Sequence, residues 1–157
     1  MRSLPRVERA LDLGCGDARL TQELRAGEVT AADVSRVALG RARSRLVGAR
    51  LAELTPDAPL PFEDNCFDLV LCTETLEHVR DTQLFLSEIR RVLGPGGELA
   101  ISTPAHRRVV SASQLDPLSP HLRFYARRSL ARVLREHGFD VIALRRRRGT
   151  LLARARR

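Results

Sequence analysis

Ala10-Leu11-Asp12-Leu13-Gly14-Cys15-Gly16-Asp17-Ala18 decides how the whole chain is read. An apolar run stops at two glycines one residue apart, which is how a buried strand gives way to a tight turn. Glycine accepts the positive φ angles such turns need and lets a ligand approach the backbone closely. The segment from about Glu8 to Leu13 therefore reads as a strand. Ala18 to Ala26, with Leu20 and Leu24 four apart and Gly27 as a stop, reads as the helix after it. The same unit recurs downstream. Glu28 to Asp33 is a second strand, Ser35 caps a helix over Val37 to Leu46 that closes at Gly48, and Ala49 to Leu54 is a third strand. A loop holding three prolines, Thr55 to Asn65, leads to the apolar strand Phe67 to Cys72. A helix from about Asp81 to Leu93, a stop at Gly94-Pro95-Gly96-Gly97 and a fifth strand, Glu98 to Ser102, follow.

Strict alternation of strand and helix implies a parallel sheet covered by helices. After Pro104 the pattern gives way to an irregular stretch rich in arginine, serine and proline, up to about His121, of the kind that often carries substrate contacts. Arg127 to Gly138 reads as a last helix. Phe139 to Leu144 and Leu151 to Ala155, separated by Arg145 to Thr150, read as an antiparallel hairpin. The expected architecture is α/β: a Rossmann-like, doubly wound, mostly parallel sheet of seven strands with a C-terminal antiparallel hairpin, in one domain over residues 1–157.

Composition agrees with a packed globular chain. Of 157 residues, 43% are hydrophobic and 29% charged, far from the signature of disorder. All 27 basic residues are arginine, against 19 acids, giving a net charge of +8. Such one-sided usage is read as coding bias over a solvated surface, so nucleic acid is not the favoured partner. Cys15, Cys66 and Cys72 are odd in number and lack the Cys-x-x-Cys spacing of metal sites, which suits a reducing compartment. No long apolar run signals secretion or a membrane span, and a cytoplasmic protein is expected.

In open α/β sheets ligands bind beyond the carboxyl ends of the strands. After the first strand, Gly14 and Gly16 permit close approach and Asp12 brings negative charge to a ligand ammonium group. After the second, Asp33 can accept from two ribose hydroxyls. After the third, Glu53 can meet an adenine amino group, with Leu54 as apolar contact. Together they describe an adenosine that bears an amino acid. A dinucleotide fingerprint needs a further glycine where Arg19 stands, and no phosphate-binding Gly-Lys-Ser or Gly-Lys-Thr occurs.

These residues resemble the class I S-adenosylmethionine-dependent methyltransferases of the small-molecule type, with similarity to the ubiquinone-biosynthesis subgroup. Residues 10–18 look like the family's first motif and Ala32-Asp33-Val34-Ser35 like its second. Leu60 to Val70 resembles the entry to the fourth strand, and Arg91-Val92-Leu93-Gly94-Pro95-Gly96-Gly97 is the most specific match. The resemblance implies S-adenosylmethionine as cofactor, held by Asp12, Gly14, Cys15, Gly16, Asp33, Val34, Glu53, Leu54, Cys72 and Thr73. Two departures stand out. Glu53 and Asp57 compete for the adenine contact, with Glu53 preferred at the strand end. The helical segment that usually precedes the first strand is short, which leaves room for a partner chain such as a second copy.

Thr73-Glu74-Thr75-Leu76-Glu77-His78 falls where a methyl acceptor would approach. In a helical turn Glu74, Glu77 and His78 would share one side, as catalytic groups around a general base. The Glu-x-x-Glu-His pattern also resembles metal-dependent branches of the superfamily, with His121 or His106 as a further ligand, although a divalent metal is not favoured. The expectation is methyl transfer to a hydroxyl or similar group on a small molecule. RNA methylation, with or without a metal, and a non-catalytic cofactor-binding subunit are the alternatives. The Asn-Pro-Pro-aromatic motif of amino-group methylation is replaced by Cys72-Thr73-Glu74-Thr75, and only 4% of residues are aromatic.

Overall fold

A computed structural model of the chain describes residues 4–106 and 121–157. Most of the irregular stretch expected after Pro104 therefore lies outside the described residues. Seven strands, β1 (Val7–Leu13), β2 (Ala26–Asp33), β3 (Arg50–Glu53), β4 (Phe67–Thr73), β5 (Leu93–Pro104), β6 (Asp140–Arg147) and β7 (Thr150–Arg156), form one sheet in the order β3-β2-β1-β4-β5-β7-β6. The first five run parallel, and β7 pairs antiparallel with both β5 and β6. The expected mostly parallel sheet with its terminal hairpin is the observed fold.

Among the described residues three helices cover it: α1 (Arg36–Arg43), α2 (Thr82–Val92) and α3 (Arg127–Glu136). Each of the first two starts where a side chain satisfies a helix-end N–H. Ser35 accepts from the Ala38 N–H at 3.2 Å and Asp81 from the Leu84 N–H at 2.9 Å. The main core forms where Leu86, Ile89 and Val92 of α2 and Leu130 and Leu134 of α3 pack on Leu11, Val70, Leu99 and Ile101 of the strands. A smaller cluster, Ala10, Leu69, Leu71 and Ala100, is packed by Leu4, Val7, Leu24 and Ala26.

Three expectations are corrected. The helix over Ala18 to Ala26 is replaced by a single 3-10 turn, Thr21–Glu23, and Gly27 lies inside β2 rather than beyond a helix. Strand β2 starts at Ala26, and Gly16 and Ala18 both hold positive φ, so residues 14–25 leave no room for a helix of useful length. The run Gly94-Pro95-Gly96-Gly97 does not separate helix from strand; it is the bulged entry to β5. Gly97 lies so close to the backbone that a Cβ there would meet the Gly94 carbonyl at 2.9 Å. Finally, the spacer between the last two strands shrinks to Arg148-Gly149, with φ of 47° and 87°, the paired positive angles of a tight hairpin turn.

The proline-rich loop is pinned from below by Arg91 on α2. Its guanidinium donates to Glu88, to Asp64 and to the carbonyls of Leu60 and Phe62 at 2.7–3.0 Å. Glu88 in turn accepts the Leu60 N–H at 2.7 Å. Removing the guanidinium would leave these acceptors unsatisfied. Arg91→Ala is expected to cost about 2–3 kcal/mol in urea unfolding and to speed proteolysis within residues 55–65.

Candidate functional site

The carboxyl edge of the sheet opens into a hollow of about 670 Å³, bounded by the glycine bend, the Asp33 tip of β2, the loop after β3 and the segment after β4. The two glycines of the bend differ in role. A Cβ at Gly14 would collide with Thr75 Oγ1 at 2.3 Å, so glycine is required there by the close pass of the post-β4 loop. A Cβ at Gly16 would meet nothing within 4 Å, and its backbone borders open space at the hollow.

Asp33 binds the bend to the second strand. One carboxylate oxygen accepts the Gly16 N–H and the other the Ser35 N–H, both at 2.8 Å. Each oxygen keeps further lone-pair capacity, so the carboxylate remains able to accept two hydroxyls. Val34 and Leu54 also line the hollow.

Asp12 is buried at the end of β1. Its Oδ2 accepts the Thr21 hydroxyl at 2.5 Å, while Oδ1 has no partner among the described residues. Burial pushes its pKa from 3.8 to about 6, opposed by the Thr21 hydrogen bond and assisted by the Asp33 charge. An orphaned, desolvated carboxylate oxygen beside the glycine bend fits a cationic group arriving from outside. Neither Asp12 nor Cys15, Cys72 or Thr73 reaches the wall of the hollow. Burial pushes the Cys15 thiol up to about 12 and raises Cys72 as well, so both stay protonated and neither is a nucleophile.

Glu53 is not on the wall. Its two oxygens accept from Arg36 Nε at 2.7 and 2.8 Å at the exposed sheet edge. Asp57, the competing acid, lines the hollow instead, 3.8 Å from Arg80. Its φ of 53° turns the chain there, and no spacing rule in the sequence foretells that. Thr75 is a wall residue that sequence reasoning missed, since nothing in a Thr-x-Thr pattern announces contact with a distant glycine.

The acids after β4 do not share one side. Glu74 takes a positive φ of 50°, which breaks the helical turn before it begins; a 3-10 turn then covers only Leu76–His78. Glu74 and His78 line the hollow, and Glu74 Oε1 accepts from Ser102 Oγ at 2.7 Å. Glu77 points inward and is fully buried, with Oε2 accepting from Thr103 Oγ1 at 3.0 Å and Oε1 without a partner among the described residues. Burial raises its pKa. The ligand atoms of Glu77, His78 and His121 lie within 4.8 Å of one another, the group among the described residues that could hold a metal ion. His106 is not in that group.

Residues 11–101 match the family described as "Methyltransferase domain". The chain is 34% identical over 143 residues to a protein of Mycolicibacterium smegmatis described as a probable S-adenosylmethionine-dependent methyltransferase, covering 83% of this chain and 51% of that protein. It is 33% identical over 102 residues to the ubiquinone biosynthesis O-methyltransferase of Aeromonas salmonicida, covering 61% of this chain and 43% of the relative. The chain thus spans about half the length, or less, of the curated relatives it matches. The crystal structure of an S-adenosylmethionine-dependent methyltransferase from Mesorhizobium loti superposes with a TM-score of 0.77 at 22% identity, covering 98% of this chain and 94% of that one. At that identity the likeness establishes the fold.

The Asp12 carboxyl stays protonated in the folded chain up to about pH 6 but ionises near 3.8 when unfolded. It therefore contributes stability below pH 4 that is lost as pH rises through 6. Asp12→Asn is expected to unfold later than the parent at pH 8, by about 2 kcal/mol in urea titrations, with the gap closing towards pH 4.

Proposed function

Because the chain belongs to the family of methyltransferase domains, we propose that it binds S-adenosylmethionine in the hollow at the carboxyl edge and transfers the methyl group to a hydroxyl or similar group on a small molecule. The observation that carries this reading is the Asp33 carboxylate, fixed beside the Gly16 bend and lining the same hollow as Glu74 and His78. The description of the M. smegmatis relative supports the cofactor, and that of the A. salmonicida relative supports oxygen as the acceptor atom.

On this reading Asp33 receives the ribose hydroxyls, Val34 and Leu54 flank the base, Asp57 takes the place foreseen for Glu53, and Asp12, buried behind the glycine bend, attracts the ammonium end by its charge rather than by contact. S-adenosylmethionine supplies an activated methyl on a sulfonium, so the chain's work is mostly positioning. His78 takes the acceptor hydroxyl proton as the new oxygen–carbon bond forms. Glu74, anchored by Ser102, fixes the loop that presents His78. A second reading rests on the Glu77, His78 and His121 group: these residues would hold a divalent ion that lowers the pKa of the acceptor hydroxyl. The three free cysteines suit a reducing cytoplasm, and among the described residues no helix is long and apolar enough to cross a membrane. We read residues 1–157 as one domain.

Calorimetry is expected to find micromolar S-adenosylmethionine binding, weakened about a hundredfold by Asp33→Ala through the loss of two hydrogen bonds to a charged acceptor. Absence of binding to the parent would leave only the fold. His78→Ala is expected to lower turnover, followed as S-adenosylhomocysteine release over a panel of hydroxyl-bearing acceptors, by about 10²–10³ with cofactor affinity retained. Unchanged turnover would remove the base role, and loss of turnover in chelator would favour the metal reading.

A further inference from the structure

The hairpin β6–β7 reaches the same carboxyl edge of the sheet as the hollow. Thr150, the first residue of β7, is registered against Pro104 at the end of β5, and the Ala105 N–H donates to the Gly149 carbonyl at 2.6 Å. On the other side of β5, Ser102 is registered against Thr73, and its carbonyl accepts the Glu74 N–H at 3.0 Å. At the hairpin tip, Thr150 on β7 thus stands two strand spacings, about 10 Å, from the end of β4 where the acceptor would lie, and Arg145 and Arg147 on β6 stand three, about 14 Å.

That tip is Arg145-Arg146-Arg147-Arg148, and all four side chains are exposed. Arg145 and Arg147 alternate onto one face, registered against Leu152 and Thr150, and Arg148 occupies the turn itself. Several arginines elsewhere on the molecule are matched to acids. Arg154 and Arg156 meet Glu98, Arg36 meets Glu53, Arg80 meets Asp57, and Arg91 meets Glu88 and Asp64. Among the described residues no ion pair engages Arg145 to Arg148. The tight turn places this run, without an ion pair among the described residues, at the end of the hairpin that lies on the carboxyl edge of the sheet.

We propose that the methyl acceptor carries a phosphate or carboxylate group, and that Arg145, Arg147 and Arg148 receive it at the rim of the site. The guanidinium fork matches either oxyanion in a bidentate manner. Along this hairpin the arginines without an ion pair among the described residues lie at the tip, because Glu98 answers Arg154 and Arg156 further along β7. A compact anionic group therefore fits better than an extended polyanion. This inference rests on the reading of the hollow as a methyl-transfer site.

Inorganic pyrophosphate and citrate serve as phosphate and carboxylate probes in calorimetry of the full chain, at two salt concentrations. The parent is expected to bind at least one of them, and the better probe identifies the class of anion. Arg145→Gln/Arg147→Gln/Arg148→Gln is expected to weaken that binding about tenfold or more, equivalent to about 1.4 kcal/mol. S-adenosylmethionine affinity and thermal unfolding should stay as in the parent. Arg41→Gln/Arg43→Gln, on exposed positions of α1, is expected to change probe affinity less than about twofold. Equal probe affinity in the tip variant and the parent, or an equal loss in the α1 variant, would overturn the proposal. So would a single-stranded RNA that binds the tip more tightly than either probe with steep salt dependence. Failure of the parent to bind S-adenosylmethionine would instead overturn the methyl-transfer reading, with the probe measurements still separately readable.

Discussion

Two carboxylates at neighbouring strand tips hold the loop on which the site depends. In folds of this kind the segment after the first strand is steadied by the helix it enters, but here residues 14–25 form only one 3-10 turn. Asp33 takes over part of that duty by accepting the Gly16 N–H, and Asp12 by accepting the Thr21 hydroxyl. The bend is therefore positioned by side chains that a ligand would also use. On the proposed reading, order in the loop and affinity for a charged nucleoside are set by the same two groups, and Asp12 carries a raised pKa and an oxygen without a partner among the described residues.

Below the hollow, a different logic applies. The loop that supplies Asp57 and Leu60 to the wall has no regular structure of its own, and Arg91 substitutes for it by satisfying carbonyls and acids that would otherwise face water or nothing. Leu60 is bonded at both its N–H and its carbonyl by the Glu88–Arg91 pair. The sequence run Arg91 to Gly97 thus serves two ends. Its first residue ties down the loop, and its last glycine lets β5 enter against β4.

Much of the fold could be read from local patterns. Apolar runs of strand length and the caps at Ser35 and Asp81 are signals confined to a few residues, so the order of elements and the parallel sheet followed from them. What could not be read depended on partners far along the chain. The pair Leu20 and Leu24 has helical spacing, yet Thr21 between them is drawn to Asp12 and no length remains for a helix. Glu53 stands at the correct strand end, but Arg36, seventeen residues earlier, captures both of its oxygens. Glu74 and Glu77 have helix-compatible spacing, and one left-handed residue at Glu74 sends them to Ser102 and Thr103 on different sides of the backbone. Asp33 and Gly16 were legible because their relation is fixed by the parallel pairing of β1 and β2 and by nothing more remote.

The position of β1 in the sheet bears on how the chain reaches its folded state. It is synthesised first, yet one of its two neighbours is β4, so Arg9 meets Asp68 only after fifty-nine further residues exist. Closing so long a segment before any reward from pairing makes assembly of the sheet's centre slow relative to its helices. During translation the β1–β2 pair must wait with one side of β1 unsatisfied, and the emergence of β4 sets the earliest moment at which the edge bearing the hollow can be complete.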